Sequence, residues 1–429
     1  MTTLEYLPAD VYNHFDLELV DLTALVITSK YIHNLLVNST IKINSVTTYR
    51  EYMRRWIPFL RNVRIMHNYE SLNIDLFKNV HTLNLSYNKI ADVSALGNLK
   101  NINLSWTNVV DVSCLGKVYN LDLSNTDVVD VSSLGEVYSL NLLHTSVVDV
   151  SCLGSVHTLD LSWTSVTDVS ALHRVHVLNL SRTNVVDASC LGGVYKLNLS
   201  RTSVSDVSAL GGVHTLNLSY TDVVDVSVLY KVHTLNLMYT KVTDVSKLGS
   251  VHTLDLSHTR IVDVSCLGGL HTLNLSHSKV MDVSNLGGLH TLNLSYTNVM
   301  DVSNLGGVYT LNISNTSVEN VSNLGRVHTL NLSYTNVVDV STLGRNHTLN
   351  LSHTNVKEIT SLGFVYILDL SRTNVVDVSA LGFVHNLDLS NTKVVDVSAL
   401  CNVYILDLSW TSVIDVSMLG NVYTLVVNK

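Results

Sequence analysis

One short pattern, repeated without a slip, limits what this chain can fold into more than any other feature. From Leu83 an apolar anchor recurs every 19 residues, at Ile102, Leu121, Leu140 and onward to Leu406 and Leu425. That makes eighteen whole units and a stub, with no insertion or deletion. A fixed period this short predicts a solenoid, in which each unit is one coil and stacks only on its neighbours.

Written from its anchor, the unit is LxLSxTxVxDVSxLGxVxx; residues 289–307, LHTLNLSYTNVMDVSNLGG, show one copy. Six positions are almost always apolar, as in Leu292, Leu294, Val299, Val302, Leu305 and Val308. The Leu-x-Leu pair alternates with the period of a short strand that buries one face. The remainder is too short and too rich in Ser, Asp and Gly for a helix, so it reads as turns and extended chain. Gly closes the turn in most units, which suggests a left-handed backbone there. His173, Tyr230 and Cys401 stand in that column, so it is not strictly glycine.

The unit resembles the leucine-rich repeat, LxxLxLxxN, with Thr (Thr297 in the copy above) where that family usually has Asn. The resemblance covers about four fifths of the chain. It implies an α/β solenoid, mainly β: a right-handed coil with a parallel sheet on its concave face and no room for helices behind it. At about 4.8 Å per coil the array would run for roughly 90 Å. Residues 63–429 form this solenoid: a degenerate first unit at 63–82, the regular units from 83, and a stub at 425–429. In the first unit Val63 and Ile65 match the strand pair, but the step to Leu83 is 20.

The start of the chain is different. Residues 4–36 place Leu7, Val11, Phe15, Leu22, Leu25 and Leu35 at helix-like spacing, and Pro8 suits a first helical turn. Residues 1–40 resemble an F-box, the small helical module that docks onto the Skp1 adaptor of cullin-RING ubiquitin ligases. Leu7-Pro8, Val11, Phe15, Asp21-Leu22, Leu25 and Ser29-Lys30 carry the match. The link between Phe15 and Asp21 is about two residues short of the family pattern, and Tyr31 or Ile32 replaces its usual Trp. The resemblance implies adaptor contacts through Leu7, Pro8, Val11, Phe15, Leu22 and Leu25; the alternative is a helical cap on the solenoid. Residues 41–62 read as a helical linker, basic at Arg50, Arg54 and Arg55 and broken by Pro58.

Several columns of the repeat carry chemistry-bearing side chains. The position before each strand is His or Tyr, apart from Lys100, and five consecutive units have His214, His233, His252, His271 and His290. Stacked imidazoles can bind metals or sense acid, but Tyr119, Tyr195, Tyr309 and Tyr404 share the column, so an aromatic ladder is the reading. The Asp column, Asp92 through Asp415, is interrupted by Asn320 and Glu358. Its Asp-Val-Ser pattern predicts carboxylates bonded to turn amides rather than a calcium ladder. The strand position between the leucines, Asn or Asp as at Asn84, Asp122, Asn293 and Asp407, reads as amide ladders.

The position before the Thr varies while the rest of the unit repeats. Trp106, Trp163, Arg182, Arg201, Tyr220, Tyr239, His258, His277 and Tyr296 stand there, and Lys241, Arg260 and Lys279 follow two places on. Trp, Tyr and Arg dominate binding hot spots. These twelve residues are the expected partner-binding concave face, and its charge suits a substrate protein of acidic character.

Composition narrows the function classes. A chain that is 46% apolar and 14% charged with two prolines is not a disordered one. Its net charge of -9 argues against nucleic acid as main partner. No apolar run resembles a signal peptide or spans a membrane. Cys114, Cys152 and Cys190 share a column two units apart, about 10 Å from one another, too far for disulfides. Asn-Leu-Ser recurs on the strands, where sugar would pack badly, and together these point to the cytoplasm. No metal site, cofactor motif or catalytic constellation rises above the repeat. The expected function is non-enzymatic recognition: the F-box-like module recruits a Skp1-cullin ligase and the repeats capture a substrate. Such regular arrays behind an F-box resemble proteins of large DNA viruses of protists, which would place the work in a host cytoplasm. The alternatives are a plain repeat scaffold with a helical cap, or a rod that self-assembles end to end through the bare edge after Leu425.

Overall fold

The computed structural model describes residues 40–43, 62–65, 74–78 and 80–428. The F-box-like residues Leu7, Pro8, Val11, Phe15, Leu22 and Leu25 lie outside that set, as does the basic stretch around Arg50. The chain divides into two compact units, Met1–Val204 and Ser205–Lys429.

Each unit is a parallel sheet of very short strands. In the first, β1 (Thr40–Ile43) pairs with β2 (Asn62–Ile65), which pairs with β3 (Thr82–Asn84), and one strand per repeat follows up to β9 (Lys196–Asn198). In the second, strands run from β10 (Thr215–Asn217) to β21 (Thr424–Val426) in the same manner. Register is invariant: Leu216 faces Leu235, Leu235 faces Leu254, and so on, always 19 residues apart. The degenerate unit keeps the strand pairing with a step of 20, Val63 lying opposite Leu83, so its extra residue is taken up outside the strand. β1 is a departure. A strand at Thr40–Ile43, with Ile41 opposite Val63, begins the sheet where the sequence read as helix and linker. A four-residue stretch carries too little periodicity to tell strand from helix.

The six apolar columns all turn inward; Leu292, Leu294, Val299, Val302, Leu305 and Val308 are each at most 2% exposed. Behind the strands the chain makes extended segments and 3-10 turns of three to five residues, such as Ser265–Gly269, and no longer helix occurs among the described residues. Nineteen residues leave no length for one.

Two polar groups close most coils; Ser278, in the Thr column, leaves its Oγ without a partner. The Asn or Asp between the strand leucines accepts a hydrogen bond from the amide two residues on, as Ser86 N–H to Asn84 Oδ1 at 2.9 Å. The buried Thr donates back to the carbonyl three residues before it, as Thr240 Oγ1 to Leu237 O at 2.6 Å. At Asn88, the one regular unit with Asn there, Nδ2 reaches the Leu85 and Ser86 carbonyls, both at 3.0 Å. Threonine therefore keeps the inner bond of the Asn pattern and fills the rest of the space with a methyl. The expected amide ladder between coils is the minor arrangement: Asn103 Nδ2 to Asp122 Oδ2 at 3.1 Å and Asn179 Nδ2 to Asp160 Oδ2 at 2.9 Å are instances. The side-chain oxygen elsewhere faces its own turn, because the amide two residues on is closer than the next coil.

The glycine column corrects an expectation. No described glycine has positive φ, and Gly116 sits at φ -59, ψ -17. Cys401, in the same column, has φ -61 and ψ -20. Glycine suits the close approach of the next coil: a Cβ on Gly211 would lie 2.7 Å from Val228 O, and one on Gly135 2.6 Å from Cys152 O, while the coils at His173, Tyr230 and Cys401 accommodate one. The left-handed residues are elsewhere, in the variable column.

Two stability outcomes follow. Gly211→Ala should cost about 1–3 kcal/mol through overpacking, read by denaturant unfolding. Asn346 replaces a core Val and is 1% exposed; its Nδ2 bonds to Leu324 O at 3.0 Å and to Val327 O, while its Oδ1 has no partner. Asn346→Val should raise stability by about 1–2 kcal/mol by removing that orphaned acceptor.

Candidate functional site

Several columns of side chains run across the coils, some beside the strands and some on the segments behind them, and each has a distinct local cause. The position before the strand carries the His/Tyr ladder. In the first unit Tyr119, Tyr138, His157, His176 and Tyr195 stack in series at 4.5–4.8 Å between ring centroids. In the second unit twelve rings from His214 to Tyr423 stack without a break at 4.4–4.9 Å. The spacing is that of neighbouring parallel strands, so the sheet itself sets rings of any chemistry at stacking distance. Where a Thr follows, the His Nδ1 sits 3.1–3.3 Å from its Oγ1, as at His252 and His271, while His385 Nδ1 lies 2.7 Å from Asn386 Oδ1. No group of three or more His, Cys, Asp or Glu that could hold a metal ion occurs among the described residues.

The Asp column does what its Asp-Val-Ser pattern implies. Asp92 Oδ1 accepts from Ser94 N–H, and Asp225 from Ser227 N–H, each at 2.9 Å. Asn320 keeps the same bond to Ser322 at 3.0 Å, so the bond does not need the charge. The Ser backbone N–H, and then its hydroxyl, hold carboxyls such as Asp225 and Asp263 below the ordinary carboxylate value. Asp388 runs the other way: it is half-buried on its strand, and burial pushes its carboxyl up, with Asp369 and Asp407 on neighbouring strands adding to the rise.

The cysteines Cys114, Cys152, Cys190, Cys266 and Cys401 are all free. Cys114 Sγ donates to Val93 O of the preceding coil at 3.2 Å, and burial raises its thiol above the usual range. Such thiols are structural rather than nucleophilic.

The variable column is the least ordinary. Every one of its eighteen residues, from Tyr87 to Trp410, has φ between 56° and 61°, the left-handed region. The column stands at the turn after the strand, while the strand's outward positions belong to Thr and Asn or Asp, as in Thr253 and Asp255. In the first unit Trp106 stacks loosely on Tyr87 at 5.9 Å, and Arg182 lies over the Trp163 ring at 4.1 Å with the His144 edge on Trp163 at 6.3 Å. Arg201 belongs to the same unit. In the second, Tyr220, Tyr239, His258, His277 and Tyr296 form one continuous stack at 4.1–4.5 Å. Lys241 pairs with Asp222 at 2.7 Å on the exposed surface, so part of its charge is answered within the chain; Arg260 and Lys279 continue its column, both exposed. What the sequence missed here was the backbone: eighteen variable positions in one conformation signal it only once φ is known.

The surroundings of three histidines and of the Asp column imply a pH dependence of stability. Burial, followed by neighbouring imidazoles or guanidinium, lowers His252 (His233, His271), His258 (His277) and His353 (Arg372) from 6.5. A depressed histidine contributes stability above its unfolded value and loses it as pH falls. The Asp column, also depressed in the folded state, loses its contribution lower down. The thermal midpoint should therefore drop in two steps, one beginning near 6.5 and one below the unfolded carboxylate value of 3.8. A profile flat from pH 7.5 to 5 would contradict the ladder's part in it.

No protein-family model and no curated protein sequence matches the chain. Solved structures do match in fold. A leucine-rich-repeat protein of Leptospira interrogans superposes with TM-score 0.56 at 15% identity, over 86% of this chain and 100% of that one. TLR13, in its complex with ssRNA13, gives 0.54 at 17% identity over 86% and 78%. The functional domain of InlJ from Listeria monocytogenes gives 0.51 at 18% identity over 74% of each chain. At these identities the likeness is one of fold: the chain is a mainly-β leucine-rich-repeat solenoid.

Proposed function

We propose that the chain is a non-enzymatic recognition scaffold whose variable column contacts a partner protein. The observation that carries this reading is the cost of that column. A non-glycine residue in the left-handed region is disfavoured by about 1–2 kcal/mol, and Gly or Asn relieves most of it. Yet none of the eighteen is Gly and only Asn125, Asn315 and Asn391 are Asn; the others are Trp, Tyr, His or Arg. Backbone strain kept at exposed positions, with bulky hot-spot side chains on it, supports selection for what the side chains touch. The TLR13 structure holds an RNA; here the net charge of -9 favours protein over nucleic acid. Five free cysteines favour a reducing compartment.

The finer reading adds the F-box-like residues at the start: Leu7, Pro8, Val11, Phe15, Leu22 and Leu25 would hold a Skp1-type adaptor, and the ligase would supply the chemistry by proximity. Its support is the sequence match alone.

Changing Tyr220, Tyr239 and Tyr296 together to Asn should shift the thermal midpoint by only a few degrees, since lost stacking, about 0.5–1.5 kcal/mol per pair, is offset by backbone relief. The variant should lose the proteins that the immobilised native chain retains from a cell extract. Retention of the same proteins would sink the recognition surface. In parallel, the full chain should co-purify with Skp1 and the Leu7→Ala/Pro8→Ala variant should not; no co-purification by the native chain removes the ligase link and leaves the scaffold.

A further inference from the structure

The regular units depart from their pattern at two columns, and the departures fall on neighbouring coils. The exposed position before the Asp is Met only at Met281 and Met300, where Val is commonest, and these side chains are 61% and 64% exposed. The position before the turn Leu is Asn only at Asn285, Asn304 and Asn323, where Ala, Cys or Ser is usual. The surface opens into two clefts at the same place. One, of about 270 Å³, is lined by Met281, Asp282, Asp301 and Asn304; the next, of about 250 Å³, by Met300, Asp301, Asn320 and Asn323. Asn323 Nδ2 donates to Ser303 O at 2.9 Å, which leaves its Oδ1 as an acceptor. The N–H of Ser284 or Ser303, and then its hydroxyl, holds Asp282 and Asp301 below the ordinary carboxylate value, so both are charged at neutral pH. Over these three coils the acids are Asp282, Asp301 and Glu319. The bases are Lys279, two residues before Met281, and Arg326, at the other end of its turn.

We propose that the two clefts take up Lys or Arg side chains of an extended basic segment of a partner protein, laid across the coils along the Asp column. The site lies behind the strands, apart from the variable column, and stands whether or not that column recognises anything. Its lining offers carboxylate and amide oxygens as acceptors and thioether arms to cover a hydrocarbon stem, which are the two needs of a cation on an alkyl chain. Met is unbranched and adapts to either stem. Each cleft is smaller than the roughly 300–1,000 Å³ of a small-molecule site, which suits single side chains. The clefts repeat with the coil, about 4.8 Å apart, while alternate residues of an extended chain lie about 6.6 Å apart; flexible Lys and Arg stems span the difference. The carboxylate row continues through Asp225, Asp244 and Asp263 and attracts a basic segment from a distance. The Met and Asn positions distinguish this stretch from the rest of that row.

The test uses the full chain and a fluorescein-labelled peptide of alternating Lys and Ser, titrated by fluorescence anisotropy at physiological ionic strength. Binding should be saturable, and the same peptide with Ser for every Lys should not bind. Met281→Val/Met300→Val brings in the commonest residue of that column and should weaken binding about fivefold through lost stem contact. Asp282→Asn/Asp301→Asn keeps the turn bond, as Asn320 does to Ser322, and should weaken binding about tenfold. Asp377→Asn/Asp396→Asn makes the same change on coils that lack Met and Asn in those columns, and should leave affinity within about twofold. All three variants should match the native unfolding midpoint at neutral pH, since each introduces a residue its column already carries. Equal weakening by the two Asp variants would show attraction by the carboxylate row alone. Unchanged affinity in the Met variant would show that the clefts hold no stem. Either result overturns the proposal, as does spermidine binding as tightly as the peptide, which would make the ligand a small polyamine.

Discussion

A coil of 19 residues cannot bury six aliphatic side chains against itself, and the whole molecule follows from that. Leu292, Leu294, Val299, Val302, Leu305 and Val308 converge on a centre too small to close without the coils on either side. Burial is thus a property of stacking, and each strand hydrogen-bonds only to the strands before and after it. Identical spacing is the condition for this to continue. The regular units keep that spacing with no insertion, and the degenerate unit, one residue longer, still brings Val63 opposite Leu83.

The same stacking explains features that look unrelated along the chain. Glycine is favoured by a carbonyl of the next coil, as by Val228 O at Gly211, rather than by backbone freedom. The polar positions serve the turn: Asn and Asp hold the amide after the strand, Thr holds the carbonyl before it, and the Asp column does the same for the segment behind. With coil geometry settled by these bonds, the residue between Ser and Thr is left at a φ that an L-residue resists, and its side chain is free to differ from coil to coil.

Regular spacing also turns side-chain chemistry into a collective property. A single exposed histidine would titrate near its ordinary value, whereas His252 is held lower by burial and then by His233 and His271. Tyrosine replaces histidine in that stack geometrically, as at Tyr309, Tyr366 and Tyr404 in the second unit.

The sequence by itself determined the coil. Period, strand position, register, the six core columns, the Asp–Ser turn bonds and the aromatic ladder all follow from residue spacing, because each unit meets only copies of itself and local pattern becomes tertiary contact directly. It also showed which column varies. What it could not show was backbone conformation and clearance: that the variable residues are left-handed, that glycine yields space instead of φ, that Asn84 faces its own turn, that Lys241 pairs with Asp222, or that Thr40–Ile43 joins the sheet. Those depend on how closely one coil approaches the next, a distance in three dimensions that no single repeat encodes.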